Sequence, residues 1–253
     1  MSSIQPKLAN QVAVVTGASK GIGAAIAQSL AAAGASVVVN YASSKEGAEK
    51  IVAKIVAQGG KAIAIKADVS KQAEVEKLFA ETKRVYGRLD VLVNNAGIYA
   101  FGPIEAVTEE FFRKYFDVNV LGLLLTIKES LKLFGPEGGS IVNISSAVTR
   151  ITPAYSSVYT ATKGAVDAIT GSLAKELAAR KIRVNAILPG MIETEGVTTA
   201  GFLGTDFEKG IVATAPLGRI GQTDDIAPAA VFLASSDSKY MTGESLVISG
   251  GLR

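Results

Sequence analysis

Short apolar runs without alternation recur along the chain, and stretches of helical periodicity separate them. Residues 12–16 (VAVVT) are β-branched and carry no polar face, the pattern of a strand buried on both sides. Similar runs predict strands at 37–40, 62–66, 89–93, 141–144, 183–188 and 245–248. Between them, helices are expected at 24–33, 45–58, 72–86, 108–134, 159–179 and 224–235. Gly34 and the pair Gly59-Gly60 stop the first two helices, Ser70 suits an N-cap for the third, and Thr108 opens the long fourth region. Strands alternating with helices predict an α/β fold: a parallel, doubly wound sheet of about seven strands, helices on both faces, in one domain spanning 1–253.

One segment departs from this rhythm. Residues 190–217 carry glycines at 196, 201, 204 and 210 and little periodicity. Because the segment leaves the carboxyl end of a central strand, a mobile substrate lid is the favoured expectation over a surface loop with a short helix.

The composition narrows the chemistry. Apolar residues make up 48% and charged residues 19%, which excludes a disordered chain. A net charge of +3 with no basic block gives no reason to expect nucleic acid. Cysteine and histidine are both absent, so disulfides, thiolate or imidazole metal sites and histidine-based triads are excluded. Proton transfer must fall to Asp, Glu, Lys, Tyr, Ser or water. No apolar run has the length of a membrane span, and the first ten residues have no apolar segment of the signal-peptide kind, so a cytoplasmic protein is expected.

Candidate chemistry concentrates near residue 159. Tyr159 and Lys163 stand four apart, so on a helix they share a face. A neighbouring ammonium favours phenolate and would pull the tyrosine pKa down from about 10, giving an acid for a carbonyl oxygen or a base for the reverse reaction. Taken alone, such a pair also recurs on ordinary solvated helices. Thirteen residues earlier, Ser146 ends the fifth apolar run and would put a hydroxyl at the carboxyl end of a strand, facing the same crevice.

Gly17, Gly21 and Gly23 lie between the first strand and first helix, where backbone amides can approach a pyrophosphate; a plain glycine turn is the other reading. A dinucleotide site selective for NAD usually has an acid after the second strand, about 20 residues on. Here that place reads Asn40-Tyr41-Ala42-Ser43-Ser44-Lys45. Asn40, the Ser43 hydroxyl and the charge of Lys20 or Lys45 would accept a 2′-phosphate, so NADP(H) is the expected cofactor, with NAD(H) possible. Asp68 either meets an adenine amino group or caps the following helix.

In combination, Thr16-Gly-x3-Gly-x-Gly23, Asp68, Asn94-Asn95-Ala96-Gly97, Asn119, Ser146, Tyr159-x3-Lys163 and Pro189-Gly190 resemble the classical short-chain dehydrogenase/reductase family from end to end. The resemblance implies a Rossmann-type fold, with Tyr159 as proton donor and Ser146 holding the substrate oxygen. It gives Lys163 the nicotinamide ribose and a lowering of the Tyr159 pKa, and gives Asn119 a water linking Lys163 to solvent. It implies Gly17, Ser19, Lys20, Ile22 and Gly23 at the phosphates and adenosine ribose, Asp68 and Val69 at adenine, and Asn94 and the Ala96-Gly97 backbone under the ribose. Pro189, Gly190, Ile192 and Thr194 would meet the carboxamide.

Ile98, Ala147, Val148, Tyr155, Met191 and Phe202, chosen for their position beside these groups, would line an apolar substrate pocket suited to a small ketone or secondary alcohol. A 3-oxoacyl thioester on a carrier protein, with Arg180 and Lys181 as contacts, or a sugar are the alternatives. A sensor on the same fold typically loses the tyrosine or lysine, both kept here. Family members are usually homotetramers paired through their long helices, and residues 111–125 are rich in Phe, Tyr and Leu.

Overall fold

The structure, a computed structural model, describes residues 6–199 and 201–252. Seven strands form one parallel sheet: β1 (Val12–Val15), β2 (Ser36–Tyr41), β3 (Lys61–Lys66), β4 (Val91–Asn94), β5 (Gly139–Ile144), β6 (Ile182–Pro189) and β7 (Ser245–Ile248). Their spatial order is β3-β2-β1-β4-β5-β6-β7. Every residue of β1 and β4 is buried, as the unbroken apolar runs require, while the edge strands β3 and β7 stay partly open.

Ten α-helical segments complete the described fold: α1 (Gly21–Ala32), α2 (Lys45–Ala57), α3 (Gln72–Tyr86), α4 (Glu109–Phe116), α5 (Gly122–Ser130), α6 (Val148–Ile151), α7 (Ser157–Glu176), α8 (Glu195–Thr199), α9 (Asp206–Thr214) and α10 (Thr223–Ala234). Two apolar cores result, one on each face of the sheet. Ile26 and Leu30 of α1, Ile51 and Ile55 of α2 and Leu233 of α10 fill one. Val75, Leu78 and Phe79 of α3, Ile127 of α5 and Val166 of α7 fill the other. Strand order reverses between β1 and β4, so the connections leaving their carboxyl ends diverge and open a crevice there.

Three local expectations are corrected. The expected helix 108–134 ends at Ser130, and Asp117–Leu121 winds as a π-helical turn between α4 and α5. The wide turn brings Asn119 inward to full burial, something no 3.6-residue periodicity predicts. Thr108 does cap α4, accepting the Phe111 N–H at 3.1 Å. Ser70 is not an N-cap: the cap position of α3 is Lys71. Ser70 instead gives its N–H and hydroxyl to Asp68 Oδ1, while Glu74 accepts the Asp68 N–H. Finally, 190–217 holds two helices, α8 and α9, where the surface-loop alternative to the lid had one short helix.

Candidate active site

Thr16 and Asn95 hold the glycine turn against the end of β4. The Thr16 hydroxyl accepts the N–H groups of Asn95 and Ala96, both at 3.0 Å, and Asn95 Nδ2 donates to the carbonyls of Thr16 and Gly17 at 2.9 and 3.0 Å. Gly17 has φ +60, and a Cβ there would lie 2.9 Å from Ala96 Cα, so the turn can dock this closely only as glycine. Part of the glycine signal is therefore packing. The sequence reading named Asn94 as the ribose neighbour, but its side chain is buried, donating to Asn143 and accepting from Thr126 at 2.7 Å. Asn95 faces the cavity in its place.

The amino terminus of α1 has no side-chain cap and no acid in its first turn. An anion is what its free amides and dipole favour. One carboxylate reaches it from 174 residues away: Glu195, at the start of α8, accepts the Gly21 N–H at 3.0 Å. A carboxylate oxygen thus takes one of the backbone donors that an anion at this terminus would use. Together with Gly17, Lys20, Ile22 and Gly23 in the cavity wall, this donor set fits a pyrophosphate.

The adenosine end differs from expectation. Asn40 is buried, accepts the Gly17 N–H at 3.2 Å and donates to the carbonyls of Ile65 and Ala67, so it braces the turn and has no free polar atom for a 2′-phosphate. Tyr41 lies in the core, and Val69 packs against Gly122, whose notional Cβ would be 2.8 Å from Val69 Cγ2. Ala42 and Ser43 are exposed, Ser19 is half-buried, and none of the three lines the cavity. Asp68 Oδ1 accepts from the N–H and hydroxyl of Ser70 in the turn before α3, so it does not cap that helix.

At the other end, a cavity of about 460 Å³ brings together Ser146, Tyr159 and Lys163 with Gly97, Ile98, Pro189, Gly190, Ile192 and Thr194. The Ala147 N–H donates to the Pro189 carbonyl at 2.8 Å and the Gly190 N–H to the Ile248 carbonyl at 2.9 Å, which ties the end of β6 to the segment after β5 on one side and to β7 on the other. Ser146 Oγ accepts the Val148 N–H at 3.2 Å. Ser145, the neighbouring hydroxyl, turns away toward the Lys163 carbonyl.

Lys163 is buried, donates to the Ile144 carbonyl at 2.8 Å, and has its Nζ 5.9 Å from the centroid of the Tyr159 ring. Burial lowers its pKa to about 8, opposed by the Asp167 charge. The expectation of a Tyr159 pKa below the ordinary value is corrected here, because burial outweighs any pull from a neighbouring charge. Burial drives the phenol up to about 12, the Ser146 hydrogen bond pulls the other way, and Tyr99 adds to the rise. Asn119 does not face open solvent: its amide both donates to and accepts from the backbone of Ile98 at 2.8 Å and reaches Thr162. It lies beside Lys163 nonetheless, for a Cβ on Gly97 would be 3.3 Å from Asn119 Oδ1 and 3.5 Å from Lys163 Nζ.

Of the substrate-lining candidates, Ile98, Ala147, Val148, Met191 and Phe202 line this cavity. Tyr155 does not: its φ is +64, its carbonyl accepts the Gly102 N–H, and its side chain is 68% exposed. Sequence reasoning missed Tyr99, Phe101 and Phe207, whose rings join Tyr159 and Phe202 along one wall. The only available signal was their place just after β4 and in 190–217. Among the described residues no group of three His, Cys, Asp or Glu side chains could hold a metal, and no helix is long and apolar enough to cross a membrane. Arg180, a candidate contact for an acidic partner, donates to the Leu131 carbonyl beyond α5.

A parallel sheet with a glycine turn at its switch point and a Ser–Tyr–Lys cluster at the neighbouring strand end defines a nicotinamide-dependent oxidoreductase acting on CH–OH groups. Comparison with known proteins places it further. Residues 17–253 match a family model described as enoyl-(acyl carrier protein) reductase. An uncharacterised oxidoreductase of Methylorubrum extorquens is 58% identical, covering 98% of this chain and 99% of its own. A short-chain dehydrogenase/reductase from Serratia marcescens superposes with a TM-score of 0.92 at 33% identity, covering 97% of this chain and 99% of that one. The angucycline C-6 ketoreductase LanV with bound NADP gives 0.91 at 34% identity, covering 97% and 96%. The chain belongs to the classical short-chain dehydrogenase/reductase family.

Proposed function

We propose that this protein is an NADPH-dependent carbonyl reductase acting on a free, apolar ketone. The observation that carries the reading is the meeting, in one cavity, of Ser146, Tyr159 and Lys163 with the glycine turn on one side and an apolar wall on the other. A bound nicotinamide supplies the hydride, or accepts it in the reverse direction. Tyr159, held neutral by burial, donates its proton to the carbonyl oxygen as charge builds there. Ser146 gives that oxygen a second hydrogen bond. Lys163, still largely protonated at neutral pH, stabilises the tyrosinate left behind. Asn119 fixes Ile98 and with it one side of the pocket. The segment carrying α8 and α9 serves as the lid.

The NADP preference rests on the absence of an acid after β2 and on Lys20, Ser43 and Lys45, now without Asn40. The bound NADP in the LanV structure supports it. A carrier-bound 3-oxoacyl thioester is the second reading, favoured by a 40% identical relative from Staphylococcus aureus described as a 3-oxoacyl-[acyl-carrier-protein] reductase.

NADPH consumption with a free ketone, a 3-oxoacyl thioester, and glucose with NADP⁺ in the oxidative direction separates these. Turnover of the free ketone is expected, and Tyr159→Phe should lower kcat by roughly 10²- to 10⁴-fold with NADPH binding retained. Activity confined to the thioester moves the function to carrier-bound substrates, and oxidation of glucose alone moves it to sugars. A higher kcat/KM with NADH than with NADPH overturns the cofactor preference.

A further inference from the structure

Beside Tyr159, the cavity wall is a continuous set of aromatic rings drawn from two separate parts of the chain. Tyr99 and Phe101 follow β4, whereas Phe202 and Phe207 come from the segment between β6 and α10. Phe101 is central: its centroid lies 6.1 Å from that of Tyr159, 6.0 Å from Phe202 and 6.4 Å from Phe207. Its planes to Tyr159 and Phe202 are steep, 69° and 90°. Phe202 and Phe207 are 5.4 Å apart, and Tyr99 closes the set at 6.2 Å from Tyr159.

Steeply inclined rings form a corner. A planar ring entering it stacks on one face while meeting the edge of another, the two arrangements that the aromatic quadrupole favours. Phe101 and Phe207 remain 39% and 49% exposed, so they keep apolar surface that a ligand can cover. The same cavity is lined by the apolar residues Ile151, Pro153, Val197 and Ile211, with Thr194 and Thr214 adding hydroxyls. Among the described residues, the charged side chains lining the cavity are Lys20, at the glycine turn, and Lys163, beneath the Tyr159 ring. An anionic or polyhydroxylated substrate arm would find few partners there.

We propose that the preferred substrates are ketones bearing an aromatic ring one or two bonds from the carbonyl, with the ring held in the corner formed by Phe101, Phe202 and Phe207. The proposal rests on the carbonyl-reductase reading and names its substrate class. A saturated ring of similar size buries comparable apolar area but lacks the flat faces and the quadrupole, so discrimination between the two isolates the aromatic contribution.

The test compares 1-phenyl-2-propanone with 1-cyclohexyl-2-propanone, whose carbonyls are both unconjugated, in NADPH-consumption assays of the full chain. Wild type is expected to show a kcat/KM ratio of roughly tenfold or more in favour of the phenyl ketone. In Phe101→Leu and Phe202→Leu the ratio should fall to within about twofold, with the loss mainly in KM, and NADPH affinity by fluorescence titration should stay at the wild-type value as a check on folding. Equal kcat/KM for both ketones in wild type overturns the aromatic preference and leaves the reductase reading standing. A preference that survives both leucine substitutions overturns the assignment to this corner. NADPH binding without turnover of either ketone, or of simple aliphatic ones, overturns the reductase reading itself.

Discussion

Lys163 is the residue whose surroundings ask most of its charge. Its side chain is enclosed, and burial holds its pKa near 8 against an ordinary 10.5. Between those two values the unfolded chain holds a proton that the folded chain has released, so stability rises with pH across that window. The gain is complete above the unfolded value and is lost as pH falls through the folded one. Its size is on the order of 3 kcal/mol as an upper bound. Denaturant unfolding at a series of pH values, for wild type and Lys163→Met, should show this slope in wild type and its loss in the variant; identical slopes would mean that the lysine titrates normally. Tyr159 has the opposite sense. Its raised pKa, about 12, keeps it protonated after free tyrosines ionise, so the Tyr159→Phe difference in tyrosinate absorbance should appear well above pH 10.

At this scale the sequence was informative where spacing alone encodes geometry. Tyr159 and Lys163 on one helix and Ser146 at a strand end needed only periodicity, and all three meet in one cavity. It failed where two adjacent residues differ by which way they point. Asn94 and Asn95 are the same residue type, yet the last position of β4 turns one inward to Asn143 and the next outward to the glycine turn. Asn40 failed for a related reason: its side chain satisfies backbone groups of neighbouring segments that are far apart in sequence.

At the scale of elements, the amino terminus of α1 and the start of α8 are coupled through one contact. Glu195 accepts the Gly21 N–H at 3.0 Å, where a dinucleotide phosphate must approach the same amides. Two anions cannot share that position, so cofactor binding should displace Glu195 and release the start of α8. Glu195→Gln keeps the shape and removes the charge. NADPH is therefore expected to bind the variant about two- to fivefold more tightly at low salt, the size of a carboxylate's interaction with a helix terminus, with the difference shrinking at high salt. Weaker binding would mean that Glu195 assists the cofactor. Nothing in the sequence pointed to this contact, because it joins residues 174 apart. The π-helical turn at Asp117–Leu121 was equally hidden, since a helical period read over the whole stretch does not register a phase shift in its middle.

For the whole molecule, the sheet was legible because strands buried on both faces leave unbroken apolar runs, and right-handed connections allow few ways to join them. What the monomer leaves uncovered is a separate matter. Tyr115 and Leu123, two of the apolar residues expected to pair chains, are buried in this chain. Phe112, Leu121 and Leu124, from the same stretch of α4, the π-helical turn and α5, are instead 45%, 42% and 40% exposed. Large apolar side chains exposed along this stretch cost solubility unless another surface covers them, and closed symmetric assembly covers them at no further cost in sequence. Sedimentation velocity is expected to show a homotetramer for wild type. Leu121→Glu with Leu124→Glu, placing two like charges in the interface, should shift it to smaller species. A wild-type chain that sediments as a stable monomer would leave these three side chains without an oligomeric role. A tetramer unmoved by the double substitution would put its contacts on another face.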